Sequence, residues 1–301
     1  MRINSLAMAV AIGLLLAGCG GGGGGGGGGG SSPATGTPTT GEPATSAPVV
    51  GGVATYAGSR SDYSIVRTSS GFTVTEKRNN SVTTVTGATS IRFSDMAINL
   101  GIGDKAVVFG AERLKSLIEL YTAFMNRVPE ANSLSAWIDQ AQAGQSMAQI
   151  ADRLHAEAIL VPAASGLSAA MTHSEFVTAV YKNVFGRYGD TAPSPAEVAS
   201  WASRIDKGGD LTRGGLVITM LAATRAAPGE PGNAAVIQLL DNKADVGDYV
   251  AVRNGVTYNA AEESVVRTKA IAAAVTTTDK SAAMAQLGFA DTAFNLKLPG
   301  K

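Results

Sequence analysis

Eleven consecutive glycines, Gly20 to Gly30, set the first limit on this chain of 301 residues. A run without side chains buries no apolar surface and loses more backbone entropy on ordering than any other sequence, so it has no place in a packed core. Ser31 to about Gly52 is mostly Ser, Pro, Thr, Ala and Gly, a composition that behaves as flexible coil passing into a stiffer proline-containing spacer. A phosphate-binding loop would need a Gly-Lys-Ser/Thr ending framed by strand and helix, and the run has neither. The tract therefore separates a short leader from about 250 residues able to bury a core, enough for one large domain or two small ones.

The leader has a positive start at Arg2, an apolar run from Leu6 to Leu16, and the ending Leu16-Ala17-Gly18-Cys19. This is the pattern of a processed signal peptide. It is too short for a membrane span, which takes about 20 apolar residues. The ending resembles the lipobox of bacterial lipoproteins, which implies that Cys19 becomes the first mature residue and carries acyl chains; the plainer reading is a chance cysteine in an ordinary signal peptide. Cys19 is the only cysteine, so no disulfide is open to it. Several acyl chains, at about 0.8 kcal/mol per buried methylene, anchor far more firmly than one. In lipoproteins an aspartate after the cysteine favours inner-membrane retention. Gly20 stands there instead, so the resemblance implies an outer-membrane lipoprotein, facing the periplasm or the surface, with the membrane as its first partner.

Acidic and basic residues balance at 24 each, and the basic ones are scattered, which argues against a nucleic-acid partner. From Val53 to Leu100 apolar residues alternate with period two, as in Tyr63-Ser64-Ile65-Val66-Arg67 and Phe72-Thr73-Val74-Thr75. This predicts a small antiparallel β region. After Asp104 the period becomes helical, with Leu114, Leu117, Ile118, Tyr121, Phe124 and Met125 on one stripe. Thr172 with Glu175, and Ser194-Pro195-Ala196-Glu197, are capping-box starts. Helices are expected near 105–127, 133–142, 146–159, 173–185, 195–206, 212–224, 234–253 and 260–275. The expected organisation is a signal peptide over 1–18, lipidated cysteine and tether over 19–52, β region over 53–103, tandem helical repeats over 104–255, and C-terminal helices with a short strand over 256–301. The fold class is mainly α with a small N-terminal antiparallel β region and tandem three-helix repeats.

The repeat is visible in particular residues. Tyr121 and Arg127 recur 60 positions later as Tyr181 and Arg187, and Trp137 is echoed by Trp201. Each unit reads as a long helix ending at an arginine, a loop, a tryptophan helix, a glycine turn and a third helix. The pattern over roughly Ala111 to Val250 resembles a helical domain family of unknown function found in bacterial secreted, surface-layer and RTX-toxin-like proteins, distantly similar to phycobilisome linkers. The family loop usually reads Pro-Asp after the arginine, whereas here it is Val128-Pro129-Glu130 and Tyr188-Gly189-Asp190. A second echo joins Phe93-Ser94-Asp95-Met96-Ala97-Ile98-Asn99-Leu100 to Phe289-Ala290-Asp291-Thr292-Ala293-Phe294-Asn295-Leu296, and is expected to form two edge strands of one sheet.

Catalytic signals are sparse. His155 and His173 are the only histidines; they lack metal-site spacing, and positions near helix ends account for them. No Gly-x-Ser-x-Gly elbow occurs. The RTX resemblance raises calcium, but there is no Gly-Gly-x-Gly-x-Asp repeat and no EF-hand loop, and Asp95, Asp190 and Asp291 read as turn or helix caps. Core packing explains Trp137 and Trp201 better than ligand stacking, and a helix C-terminus explains Arg127 and Arg187. No catalytic, metal or cofactor residue is assigned. The expected function is a non-enzymatic interaction or structural module displayed on the envelope toward an unidentified protein or envelope partner. The alternative is a surface accessory domain for calcium or carbohydrate, and an enzyme comes third.

Overall fold

The computed structural model describes residues 45–206, 211–289, 291 and 294–297. The expected signal peptide, Cys19 and the glycine tract lie outside the described residues. Nine short strands and eleven α-helices are described, and the described residues belong to one compact unit. No helix among the described residues is long and apolar enough to cross a membrane.

Two small sheets are built from β1 (Thr45–Ser46), β2 (Val49–Val50), β3 (Val53–Thr55), β4 (Tyr63–Thr68), β5 (Gly71–Glu76), β6 (Val82–Val85), β7 (Ser90–Arg92), β8 (Met96–Asn99) and β9 (Val256–Tyr258). Their orders are β1-β6-β5-β4 and β2-β3-β7-β8-β9. The expectation of an antiparallel region is corrected here, because β1 pairs parallel with β6 and β3 parallel with β7. A parallel pair needs a crossover between its strands. The chain supplies it by leaving the second sheet after β3, building β4, β5 and β6 in the first, and returning at β7. Two further differences concern extent. β1 and β2 fall in the stretch expected to be tether, and β9 reaches the second sheet from beyond the helices, pairing antiparallel with β8.

Period-two alternation sets which faces are buried. Tyr63, Ile65, Phe72 and Val74 point inward while Val66 is exposed. Among its described residues the second Phe-x-Asp segment shows no strand: Phe289, Asp291 and Phe294 to Lys297 carry no strand pairing. The ring of Phe294 lies 6.3 Å from that of Phe72 on β5, and Asp291 accepts the backbone N–H of Ile65 on β4.

The helices are α1 (Ile102–Phe109), α2 (Ala111–Met125), α3 (Ala131–Gln142), α4 (Met147–Ala158), α5 (Pro162–Ser165), α6 (His173–Asn183), α7 (Pro195–Asp206), α8 (Arg213–Ala226), α9 (Asn233–Asp248), α10 (Ala261–Ala273) and α11 (Ser281–Ala285). The helix expected over 105–127 is two. Gly110 between them has φ +93, a conformation that glycine reaches without steric cost and that no α-helix contains. The helix expected over 234–253 ends as α9 at Asp248, and Tyr249–Arg253 continue as a π turn.

All six stripe residues of α2, from Leu114 to Met125, are buried, each such side chain contributing about 1.5–3 kcal/mol of apolar transfer. α2 packs against α4 and α9, and α4 against α8. The α4–α8 approach is close because position 214 has no side chain: a Cβ on Gly214 would sit 2.6 Å from the backbone nitrogen of Asp152. The expected capping boxes form, with Glu175 N–H donating to Thr172 Oγ1 and Glu197 N–H to Ser194 Oγ, both at 3.2 Å.

Candidate functional site

Tyr121 lies on the last turns of α2, and Asn126, left-handed at φ +52, ends that helix. The chain reversal sends Arg127 back over the ring, with its guanidinium carbon 5.7 Å from the Tyr121 centroid. The Arg127 Nη1 is 3.7 Å from Glu130, which stands at the N-cap of α3. Trp137, in the middle of α3, is buried. Burial is the main cause that raises the Tyr121 hydroxyl pKa, with Arg127 opposing it.

The later residues assemble similarly. Tyr181 is on α6, and the guanidinium carbon of Arg187 lies 4.9 Å from its ring. Arg187 grips Glu197, in the first turn of α7, through two hydrogen bonds of 2.8 and 3.2 Å. The Arg187 contact, followed by the Ser194 backbone, holds the Glu197 carboxyl down at about 2. Trp201 is the seventh residue of α7, as Trp137 is of α3. It lines the same cavity as Tyr181, whose hydroxyl pKa is raised chiefly by burial.

The two clamps differ in what lies over them. Arg127 donates to Ser264 Oγ at 3.1 Å and to Thr268 Oγ1 at 3.3 Å on α10. Glu130 accepts from the backbone N–H of Tyr258 on β9 at 2.8 Å and from the Ser264 hydroxyl. Arg127 and Glu130 are left 17% and 7% exposed. Arg187 and Glu197 keep 31% and 41%. They border two cavities, of about 180 and 540 Å³, that share Phe185, Arg187, Glu197, Asn233 and Val236.

The histidines take separate partners. His155, on α4, sits edge-on to Phe124 and Phe176, with centroids 6.1 and 5.5 Å away. Burial, followed by Arg213, lowers its pKa. His173, in the first turn of α6, pairs with Asp206. Among the described residues no three His, Cys, Asp or Glu side chains are grouped to hold a metal ion. Asp241, Asp245 and Asp248 follow one side of α9 beside a cavity of about 250 Å³. They are tied to Lys115 and Arg225, to Arg253 and Lys280, and to Arg253 and Lys297, respectively.

Two residues escaped the sequence reading. Lys243 donates to the carbonyls of Asn183 at 2.8 Å and Val184 at 3.2 Å, closing the end of α6, and desolvation lowers its pKa to about 8. Arg60 is fully buried. It is where the two Phe-x-Asp copies meet. Phe93 and Phe289 lie 5.8 and 4.4 Å from its guanidinium carbon. Asp95 accepts from its backbone N–H at 2.9 Å, and Asp291 accepts from its Nη2 at 3.1 Å. The copies also end alike, Asn99 accepting from Gly101 N–H and Asn295 from Lys297 N–H at 3.1 and 3.0 Å. The Phe-x-Asp echo was the available signal, although nothing in it pointed to an arginine.

Comparison with known proteins gave no match: no family model, no curated protein and no solved structure corresponds to this chain.

Proposed function

We propose that this chain is an envelope lipoprotein, anchored through Cys19, that displays a non-enzymatic helical module for protein interaction built from two tandem three-helix copies. The observation that carries the module reading is the doubled clamp. In both places a tyrosine ring, an arginine and a glutamate opening the next helix meet, with a tryptophan at the same position of that helix. Arginine suits this role because its planar cation stacks on a ring while its donors grip a carboxylate. The resemblance to the helical domain family of secreted and surface-layer proteins rests on these motif residues, and it supports the same reading. Fold by itself assigns no activity, so the partner follows from surfaces rather than from architecture.

The anchor rests on Leu16-Ala17-Gly18-Cys19, and Gly20 supports the outer membrane as its destination. A Cys19→Ser variant tests it directly. The unsubstituted chain is expected to take up radiolabelled palmitate and to leave the membrane fraction only with detergent. The variant is expected to do neither. If the variant remains membrane-bound, the lipoprotein reading is wrong.

A further inference from the structure

We infer that the open face of the second clamp, formed by Tyr181, Arg187, Glu197 and Trp201, is a docking site for a helix of another polypeptide that presents two Ser or Thr hydroxyls one turn apart. The inference rests on the reading that the two clamps are equivalent.

The first clamp shows what such a surface takes. Its arginine meets Ser264 and Thr268, which are four residues apart and therefore on one face of α10. Its glutamate meets the Ser264 hydroxyl and a backbone N–H of the strand leading into that helix. The chain itself supplies this cover. A buried Arg–Glu pair has donors and acceptors left after the partners have met each other, and neutral hydroxyls fill them without adding charge.

At the second clamp, Arg187 and Glu197 share two hydrogen bonds, Arg187 Nε donates to the Thr191 carbonyl and Glu197 Oε2 accepts the Ser194 N–H, and the pair still remains partly exposed. Beside it lie the apolar walls of Phe185 and Val236 and the half-buried face of Trp201. Apolar walls around a polar centre are the composition of a binding site for an amphipathic helix. A second copy of this chain does not supply the occupant, because its Ser264 and Thr268 already lie buried on its own first clamp.

The probe is a fluorescein-labelled peptide of residues 256–275, titrated with the full chain in detergent and read by anisotropy. Saturable binding is expected. Removing both hydroxyls from the peptide, as Ser264→Ala and Thr268→Ala, is expected to weaken it at least tenfold, and this comparison needs no altered protein to fold. Binding is also expected to shift the tryptophan emission of the chain, and Trp201→Phe is expected to abolish the shift. Equal binding by the hydroxyl-free peptide, or no binding by either peptide, overturns the docking site. Binding lost in Arg127→Lys but kept in Arg187→Lys also overturns it, because the peptide would then be exchanging with the chain's own α10. The clamp reading fails separately: equivalent clamps both lose stability in those two variants, and a loss in only one breaks the equivalence whatever the peptide does.

Discussion

Replacing Asp291 with alanine tests how the C-terminal segment is held. The Arg60 side chain has no exposure and that of Asp291 has 10%. Arg60 keeps the Tyr63 carbonyl at 2.8 Å through Nη1 and the rings of Phe93, Phe289 and Phe294 around its cation, but Asp291 is the carboxylate with which it forms its ion pair. Asp291 also accepts the N–H of Ile65 at 2.8 Å. Asp291→Ala therefore strands a buried cation and a strand N–H together. Breaking a buried ion pair from one side costs about 3–5 kcal/mol. For a domain of this size each kcal/mol lowers Tm by about 2–4 °C, so a fall of about 6–20 °C is expected. Urea unfolding at neutral pH, followed by circular dichroism, measures the free energy. Asp291→Asn keeps an acceptor for Ile65 but no charge, and is expected to fall between alanine and the unsubstituted chain. Replacing both partners, as Arg60→Met with Asp291→Leu, removes the orphaned charge but not the unmet Ile65 N–H, and is expected to recover part of the loss. A cost for Asp291→Ala below about 1 kcal/mol, the range of a surface pair, refutes the reasoning. So does a double variant no better than the single one.

Gly214→Ala is expected to destabilise by about 1–3 kcal/mol, because the new Cβ meets the α4 backbone; helix propensity alone favours alanine by about 1 kcal/mol, so a gain in the urea midpoint refutes the close-packing argument. Lys243 titrates near 8 in the fold against 10.5 as its ordinary value. Burial disfavours the charged form, the unfolded chain binds the extra proton, and stability is expected to rise with pH between those values. That slope should be missing in Lys243→Met, and an equal slope in the variant rejects the assignment. Glu197 behaves oppositely: its carboxyl titrates near 2 instead of 4.5, so its contribution is present above about pH 4.5 and disappears as the pH falls toward 2. The pair is partly exposed, which limits that contribution to about 0.5–1 kcal/mol. A pH titration of the urea midpoint for Glu197→Gln checks it, and unchanged acid sensitivity counts against the clamp.

The helical part was legible because its signals are local. Capping boxes at Thr172 and Ser194 and the α2 stripe each depend on residues within a turn or two of one another, and the corresponding helices lie close to where those signals place them. Legibility failed where a backbone choice or a distant partner decided the outcome. Gly110 could equally have been a tolerated helical glycine, and its φ of +93 depends on how α1 and α2 pack. Parallel pairing of β3 with β7 leaves no mark in an alternating pattern, since alternation fixes which face is buried and says nothing of strand direction.

The same division holds at the site. Spacing alone singled out Tyr121 with Arg127, Tyr181 with Arg187, and the two tryptophans, because these residue types recur at similar intervals along the chain. It did not reveal that the arginines stack on the tyrosines and grip Glu130 and Glu197, nor that α10 covers one clamp and leaves the other open. It showed two Phe-x-Asp copies without the arginine between them. By itself the sequence determined the helix starts and stops, the buried faces and the recurrence of the motif, all of which depend on neighbours along the chain. Only the tertiary structure decided which charges meet and which remain accessible, because Arg60 and Asp291, or Arg127 and Thr268, are adjacent only after folding has buried the surfaces between them.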